Sequence, residues 1–394
     1  MSQSKAAVVA GHFCLDVIPN LDTIPSGQFG ELFQPGHLVS VGRAVFASGG
    51  PVSNTGLALR RLGVPTQLMG KTGADAFGQI VRDIVRDIDG SLATGIVVDE
   101  DSPTSYTIII SPPGVDRIFL HSPGANDTFS ATDVDYDSLG ASHLFHFGYP
   151  PVMRRMYENE GEELTAIFQQ AKASGITTSL DMTLPDPTSE GGQANWKVIL
   201  DKTLPHVDIF LPSIEEILFM LRRETYEAIR AEHDSILAAL SPELLNSVSD
   251  ELLAMGAKIV LLKLGDQGAY LRTADAPSLG NLGRAAPPDV DTWASQELWA
   301  PCFQVDVVGT TGSGDATIAG FMSAFLRELS PREALTMAVA VGACNVEAAD
   351  ATSGLLSWKE TVKRVAQGWA RHPLDLSAAG WQKDEAFDLW SRQA

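Results

Sequence analysis

The sequence predicts an α/β fold: a doubly wound, mostly parallel sheet with helices on both faces. Three observations carry that expectation. Short apolar runs alternate with helical patterns along most of the chain, as strands covered on both faces of a parallel sheet require. Near the C-terminal end, strand, glycine turn and helix follow one another between residues 303 and 329. Two segments, 14–45 and 96–122, break the rhythm with alternating residues and no helix between them.

Taken in order, strands are expected at residues 6–10, 67–70, 143–147, 177–181, 207–211, 259–263 and 303–308. Residues 106–111 and 117–121 flank a Pro-Pro-Gly turn and read as a hairpin. Residues 221–250 are helical in pattern, and 275–300, rich in Pro, Ala, Gly and Asp, read as a surface insertion. The helix after residue 312 is the clearest element. Ile318, Phe321, Met322, Phe325, Leu326 and Leu329 recur with the spacing of one helical face.

Composition bounds the class without choosing it. The 394 residues are 44% hydrophobic and 20% charged, enough for a large core. A net charge of −21 argues against nucleic acid or an anionic membrane surface as partner. No apolar run approaches about 18 residues, and the N-terminal stretch lacks a basic segment before an apolar one. A soluble cytoplasmic protein is expected. Cys14, Cys302 and Cys344 are widely spaced and read as buried free thiols. His143 and His146 are no metal pair, because i and i+3 on a strand point to opposite faces.

The chemistry concentrates at Gly309-Thr310-Thr311-Gly312-Ser313-Gly314-Asp315. A helix N-terminus presents unpaired amides and a partial positive charge, and glycines let a large anion approach the backbone. Asp315 repels such an anion. Proton abstraction from an alcohol attacking phosphorus is a good reason to place it there. There is no Gly-x-x-x-x-Gly-Lys-Ser/Thr loop and no protein-kinase His-Arg-Asp.

This stretch resembles the C-terminal signature of the ribokinase/PfkB family of carbohydrate kinases, commonly Asp-Thr-Thr-Gly-Ala-Gly-Asp. Other blocks follow in the family's order. Residues 8–16 look like its first strand, ending in a substrate-binding Asp at Asp16. Gly49-Gly50 with Asn54 and Leu62-Gly63 is similar to its N-terminal signature, and residues 70–78 match the next block. Lys263-Leu264-Gly265 with Gly268 looks like its nucleotide-side turn. The resemblance runs from about residue 5 to about residue 358, giving a ribokinase-like domain over 1–365 and a C-terminal extension over 366–394. Trp369, Trp381 and Trp390 of that extension are expected to pack on the domain or a neighbouring subunit.

The resemblance implies transfer of the ATP γ-phosphoryl group to a hydroxymethyl group of a sugar or close analogue. Asp315 would be the base, and Gly312, Ser313 and Gly314 the anion hole. Asp16, Gly50 and Asn54 would bind the acceptor, while Lys263, Gly265, Gly268, Thr310 and Thr311 would serve the nucleotide. The two interrupting segments would form a small β-sheet lid over the sugar. Arg117, Lys71 and Arg43 are as readily surface charges as ligand contacts. A homodimer is possible. A nucleoside acceptor, with Phe13, Phe29, Phe33 or Tyr106 as clamp, and a non-catalytic binding relative are the alternatives.

Two positions depart from the family pattern. Ser213 stands where Asn is usual in the Asn-x-x-Glu element, with Glu216 retained to serve Mg²⁺ through water. Gly309 replaces an Asp that normally offers a carboxylate to an activating monovalent cation. Turnover is therefore expected to need Mg²⁺ and to be nearly insensitive to K⁺.

Overall fold

A computed structural model describes residues 5–21, 34–111 and 118–392. The first half of the chain contributes β1 (Ala7–Gly11), β2 (Cys14–Ile18), β3 (Val45–Gly49), β4 (Thr66–Gly73), β5 (Ile96–Asp99), β6 (Tyr106–Ile110), β7 (Ile118–Ser122) and β8 (Leu144–Gly148). The second half adds β9 (Thr177–Asp181), β10 (Ile209–Phe210), β11 (Ile259–Lys263), β12 (Ala269–Thr273), β13 (Glu297–Ala300), β14 (Gln382–Asp384) and β15 (Leu389–Ser391).

Eleven of these strands form one sheet, in the order β14-β15-β13-β12-β11-β10-β9-β8-β1-β4-β5. From β11 to β5 every neighbouring pair is parallel; from β11 to β14 every pair is antiparallel. The apolar runs follow from burial on both faces. In β1, Ala7 and Val9 join one hydrophobic cluster while Val8 and Ala10 join the other. Ile259 and Leu261 of β11 divide from Val260 and Leu262 in the same way. The expected α/β class is what the molecule has.

A separate four-stranded sheet, in the order β3-β2-β6-β7, stands beside the large one. The hairpin appears as β6 and β7, paired from Tyr106 with Ser122 to Ile110 with Ile118. One part of the 96–122 segment goes elsewhere. β5 pairs with β4 and extends the main sheet, because its strand follows a helix and returns parallel. Arg117, Phe29 and Phe33 lie outside the described residues.

Two expectations need correction, and a third, that the C-terminal tryptophans Trp381 and Trp390 pack on the domain, is met. Residues 303–308 form no strand: Phe303 makes a single bridge to Arg371, and Val307 and Val308 are exposed. Their alternation is genuine, but no neighbouring strand runs alongside to pair with it. Residues 275–300 are no surface insertion. Leu279, Leu282, Ala285 and Trp293 are buried, and β13 pairs with β12 inside the sheet. Residues 366–394 supply β14 and β15, and Trp390 pairs across from Trp299. Trp381 packs edge-on against Trp299 and lies 6.1 Å from the Tyr270 ring, so this tail seals one face of the sheet.

Candidate active site

Parallel sheets carry ligands at the carboxyl ends of their strands. Here those ends assemble the site. His12 follows β1, Tyr149 follows β8, Asp181 ends β9 and Lys263 ends β11. The register of β1 and β8, with Gly11 opposite Gly148, brings His12 and Tyr149 side by side; their rings lie 6.3 Å apart.

A cavity of about 750 Å³ opens between this edge and the small sheet. Its walls include Asp16, Gly50, Asn54, Thr310, Thr311, Gly312 and Asp315, so both halves of the expected site meet there. The glycines have steric reasons. Gly50 begins the helix Gly50–Arg61 at φ +81, and a Cβ there would meet the His12 carbonyl oxygen at 2.5 Å. A Cβ on Gly49 would overlap the Asp16 carboxylate. Gly312 caps the helix Ser313–Leu326 at φ +71, against Ala351. Gly314, by contrast, lies over the Lys263 side chain, whose Nζ would stand in ordinary contact, 3.6 Å, from an added Cβ, so no steric demand fixes glycine there.

Asp315 is buried at the cavity floor, 1% exposed. Its Oδ2 accepts from Asn54 Nδ2 and Tyr149 OH, both at 3.1 Å, and its Oδ1 accepts from Thr55 Oγ1 at 2.9 Å. Burial lifts its carboxyl above the usual carboxylate range; the Asn54 donor, the Lys263 ammonium, Thr55 and Tyr149 oppose that rise. Asn54 thus holds the base as well as lining the acceptor cavity. Gly314 and Asp315 occupy the second and third positions of their helix, where amides have no intrahelical acceptor. The Ser313 amide instead donates to the Thr310 carbonyl at 3.3 Å.

Beneath the glycine turn lies a buried ion pair. Lys263 donates to Asp181 Oδ1 at 2.6 Å, while Asp181 Oδ2 has no partner. Burial disfavours the Lys263 ammonium, yet Asp181 and Glu216 outweigh it and hold its pKa above the usual value. Ser213 and Glu216 form a capping box: Glu216 Oε2 accepts from the Ser213 amide at 2.7 Å, and Ser213 Oγ accepts from the Glu216 amide at 3.2 Å. Ser213 thus serves as the N-cap of the helix Ile214–Leu221, a role that Asn can fill equally well. Gly265 and Gly268 form the turn between β11 and β12 at φ +56 and +95 and lie off the cavity wall.

Asp16 sits where the small sheet meets the cavity, with Cys14 Sγ donating to its Oδ1 at 3.5 Å. Burial raises its pKa to about 6. Sequence reasoning missed the neighbouring His12 and His121, whose Nε2 atoms are 3.3 Å apart, and Thr107, 3.0 Å from His121 Nδ1. Burial depresses both histidines, so they are neutral at pH 7. It also missed Thr55 and Tyr149. Thr55 follows Asn54 directly and was within reach; Tyr149 carried no spacing signal. Lys71 is engaged with Asp99 and Asp133, and Arg43 is exposed away from the cavity wall. Phe13 is wholly buried and Tyr106 packs on Phe77, so neither clamps a ligand; among the described residues, Phe119 and His121 of β7 bring lid aromatic rings to the cavity.

Residues 4–358 match the model of the pfkB family carbohydrate kinases. The chain belongs to that family. It is a carbohydrate kinase with a ribokinase-like fold. An uncharacterized sugar kinase of Archaeoglobus fulgidus is 25% identical over 300 residues, covering 76% of this chain and 98% of that protein. Arabidopsis thaliana ribokinase, solved with ribose and ATP, superposes with a TM-score of 0.66 at 18% identity, covering 92% of this chain and 98% of that one. An E. coli protein solved with ATP and Mg²⁺ gives 0.65 at 20% identity, covering 92% and 99%. Among the described residues, no helix is long and apolar enough to cross a membrane.

Proposed function

We propose that this kinase transfers the γ-phosphoryl group of ATP to a hydroxymethyl group of an uncharged sugar or sugar-like acceptor. The observation that carries this is Asp315, buried at the floor of one cavity that also holds Asp16, Asn54 and the glycine turn. Among the described residues, the cavity wall includes Asp16, Asp127, Asp186 and Asp315 but no Lys or Arg, and its histidines are neutral, which disfavours a phosphosugar or sugar acid.

In this reading the acceptor hydroxyl lies against Asp315 and its ring hydroxyls donate to Asp16. As the acceptor oxygen bonds to phosphorus and the bond to ADP breaks, the hydroxyl proton passes to Asp315. The amides at the start of the helix Ser313–Leu326 take the negative charge on the transferring group. Their share rests on Gly314 and Asp315 more than on Ser313, whose amide is already directed at Thr310. Lys263 stands behind the turn as fixed positive charge.

Mg²⁺ fits the residues present. Asp181 Oδ2 is buried and unpartnered beside Glu216, and no cluster of three or more ligating side chains exists among the described residues. Asp181 and Glu216 would hold the ion through its waters, and the ion would neutralise phosphate charge.

A nucleoside acceptor is the second reading. Phe119 favours it, since this lid aromatic is 53% exposed and on the cavity wall. The test of the catalytic assignment is Asp315→Asn. The expected result is a loss in kcat of at least about 10²-fold with ATP affinity unchanged or tighter. Near-native turnover would rule out Asp315 as the base and favour a different proton acceptor.

A further inference from the structure

Tyr149 has a backbone that its sequence does not favour. It adopts φ 64 and ψ 43, the left-handed region that glycine and asparagine prefer. This conformation turns the chain immediately after β8 and carries the side chain over the cavity, where the phenol meets Asp315. Pro150 and Pro151, both buried, follow at once and hold the turn.

The hydrogen-bond inventory of Asp315 gives this contact a consequence. A carboxylate offers about four acceptor positions. Asn54 and Tyr149 occupy Oδ2, and Thr55 occupies one side of Oδ1. One position remains, on Oδ1.

We propose that Tyr149 is a positioning residue for the base, its phenol saturating Oδ2 so that the single open lone pair on Oδ1 is presented to the acceptor hydroxyl. The inference rests on Asp315 being the base. The acceptor proton then moves to Oδ1 while Tyr149 keeps its own. Burial and the carboxylates of Asp315, Asp181 and Glu216 all oppose ionisation of the phenol. Tyr149 therefore acts only as a donor, and only the ionised carboxylate benefits from it.

A pH dependence follows. Besides Tyr149, the groups facing Asp315 are Asn54 and Thr55 from the helix Gly50–Arg61 and Lys263 from β11, with Asp181 of β9 bonded to that lysine. Glu216, from the helix Ile214–Leu221, lies within electrostatic reach of Lys263 and Tyr149. Tyr149→Phe leaves all of these in place and removes one donor to the charged form. Asp315 then holds its proton to higher pH.

The experiment measures kcat and both KM values against pH for wild type, Tyr149→Phe and Asp315→Asn. The acid limb of Tyr149→Phe is expected to move to higher pH, so that the ratio of kcat at pH 6 to kcat at pH 8 falls at least about threefold below wild type. The ATP KM should stay within about twofold, and the acceptor KM should change less than kcat. Placing 3-fluorotyrosine at residue 149, a stronger donor of the same shape, should move the limb to lower pH. Superimposable profiles for both substitutions, or a loss confined to the acceptor KM, would make Tyr149 only a wall of the cavity. Asp315→Asn separates the two ideas: its near-native turnover would overturn base and positioning together. A collapse of Asp315→Asn beside an unmoved Tyr149→Phe profile would overturn Tyr149 alone.

Discussion

The floor and the roof of the cavity are built on opposite plans. The floor hangs from strands whose residues are buried on both faces, and its Asp315 is fixed by three donors from two different elements. The roof is a four-stranded sheet whose edge strand β7 is open on both faces, with Ile118, Phe119 and Leu120 all substantially exposed. A base must be preorganised, because a displacement of about 1 Å can cost on the order of 10²-fold in rate. A roof must admit and cover an acceptor, so fewer packing constraints suit it. Asp16 and the His12–His121 contact lie at the joint between the two.

The comparison breaks first at Asp16. As the ionised acceptor for hydroxyl groups, it should act on binding rather than on chemistry. Asp16→Ala is expected to raise the acceptor KM by roughly 10- to 100-fold while the ATP KM stays put, consistent with losing hydrogen bonds to a charged group. Its pKa of about 6 adds a sharper test. A raised carboxyl pKa means the protonated form takes over as pH falls through about 6. Acceptor kcat/KM should then decline by about tenfold per unit below that point, through KM. A fall in kcat with constant KM would move the effect to the floor.

A smaller effect concerns Gly309. Its amide donates to the Val346 carbonyl at 3.2 Å, and an added Cβ would meet the Ala349 and Ala348 carbonyl oxygens at 2.9 and 3.0 Å. A side chain there is crowded, and the nearest acidic residue in sequence, Asp306, is exposed. Replacing K⁺ by Na⁺ at constant ionic strength is expected to change turnover by less than about twofold, because Gly309 itself brings no carboxylate to the site. A tenfold activation by K⁺ would show that backbone oxygens suffice.

What the sequence revealed divides along the same line. The glycine turn, the helix after it, Asp16 and Asn54 were legible because each depends on local spacing or on a backbone demand that only glycine meets. Tyr149, His12 and His121 were not, because β-sheet register and the meeting of two sheets bring them together from 109 and 137 residues away or more. Periodicity marks which face of an element is apolar, never which strand lies alongside. That is why residues 303–308 read as a strand without being one. It is also why β13, β14 and β15 stayed hidden in segments taken for an insertion and an extension.

The most direct test of the whole account is ADP release, measured across pentoses, ketohexoses, phosphosugars, deoxy-keto acids and nucleosides, with ATP and Mg²⁺. The cavity geometry predicts the highest kcat/KM on an uncharged acceptor carrying a free hydroxymethyl group, with phosphosugars and acids at least about tenfold poorer because the described cavity wall carries carboxylates and, among the described residues, no Lys or Arg. Highest efficiency on a phosphosugar or sugar acid, or no ADP release with any acceptor, would contradict it.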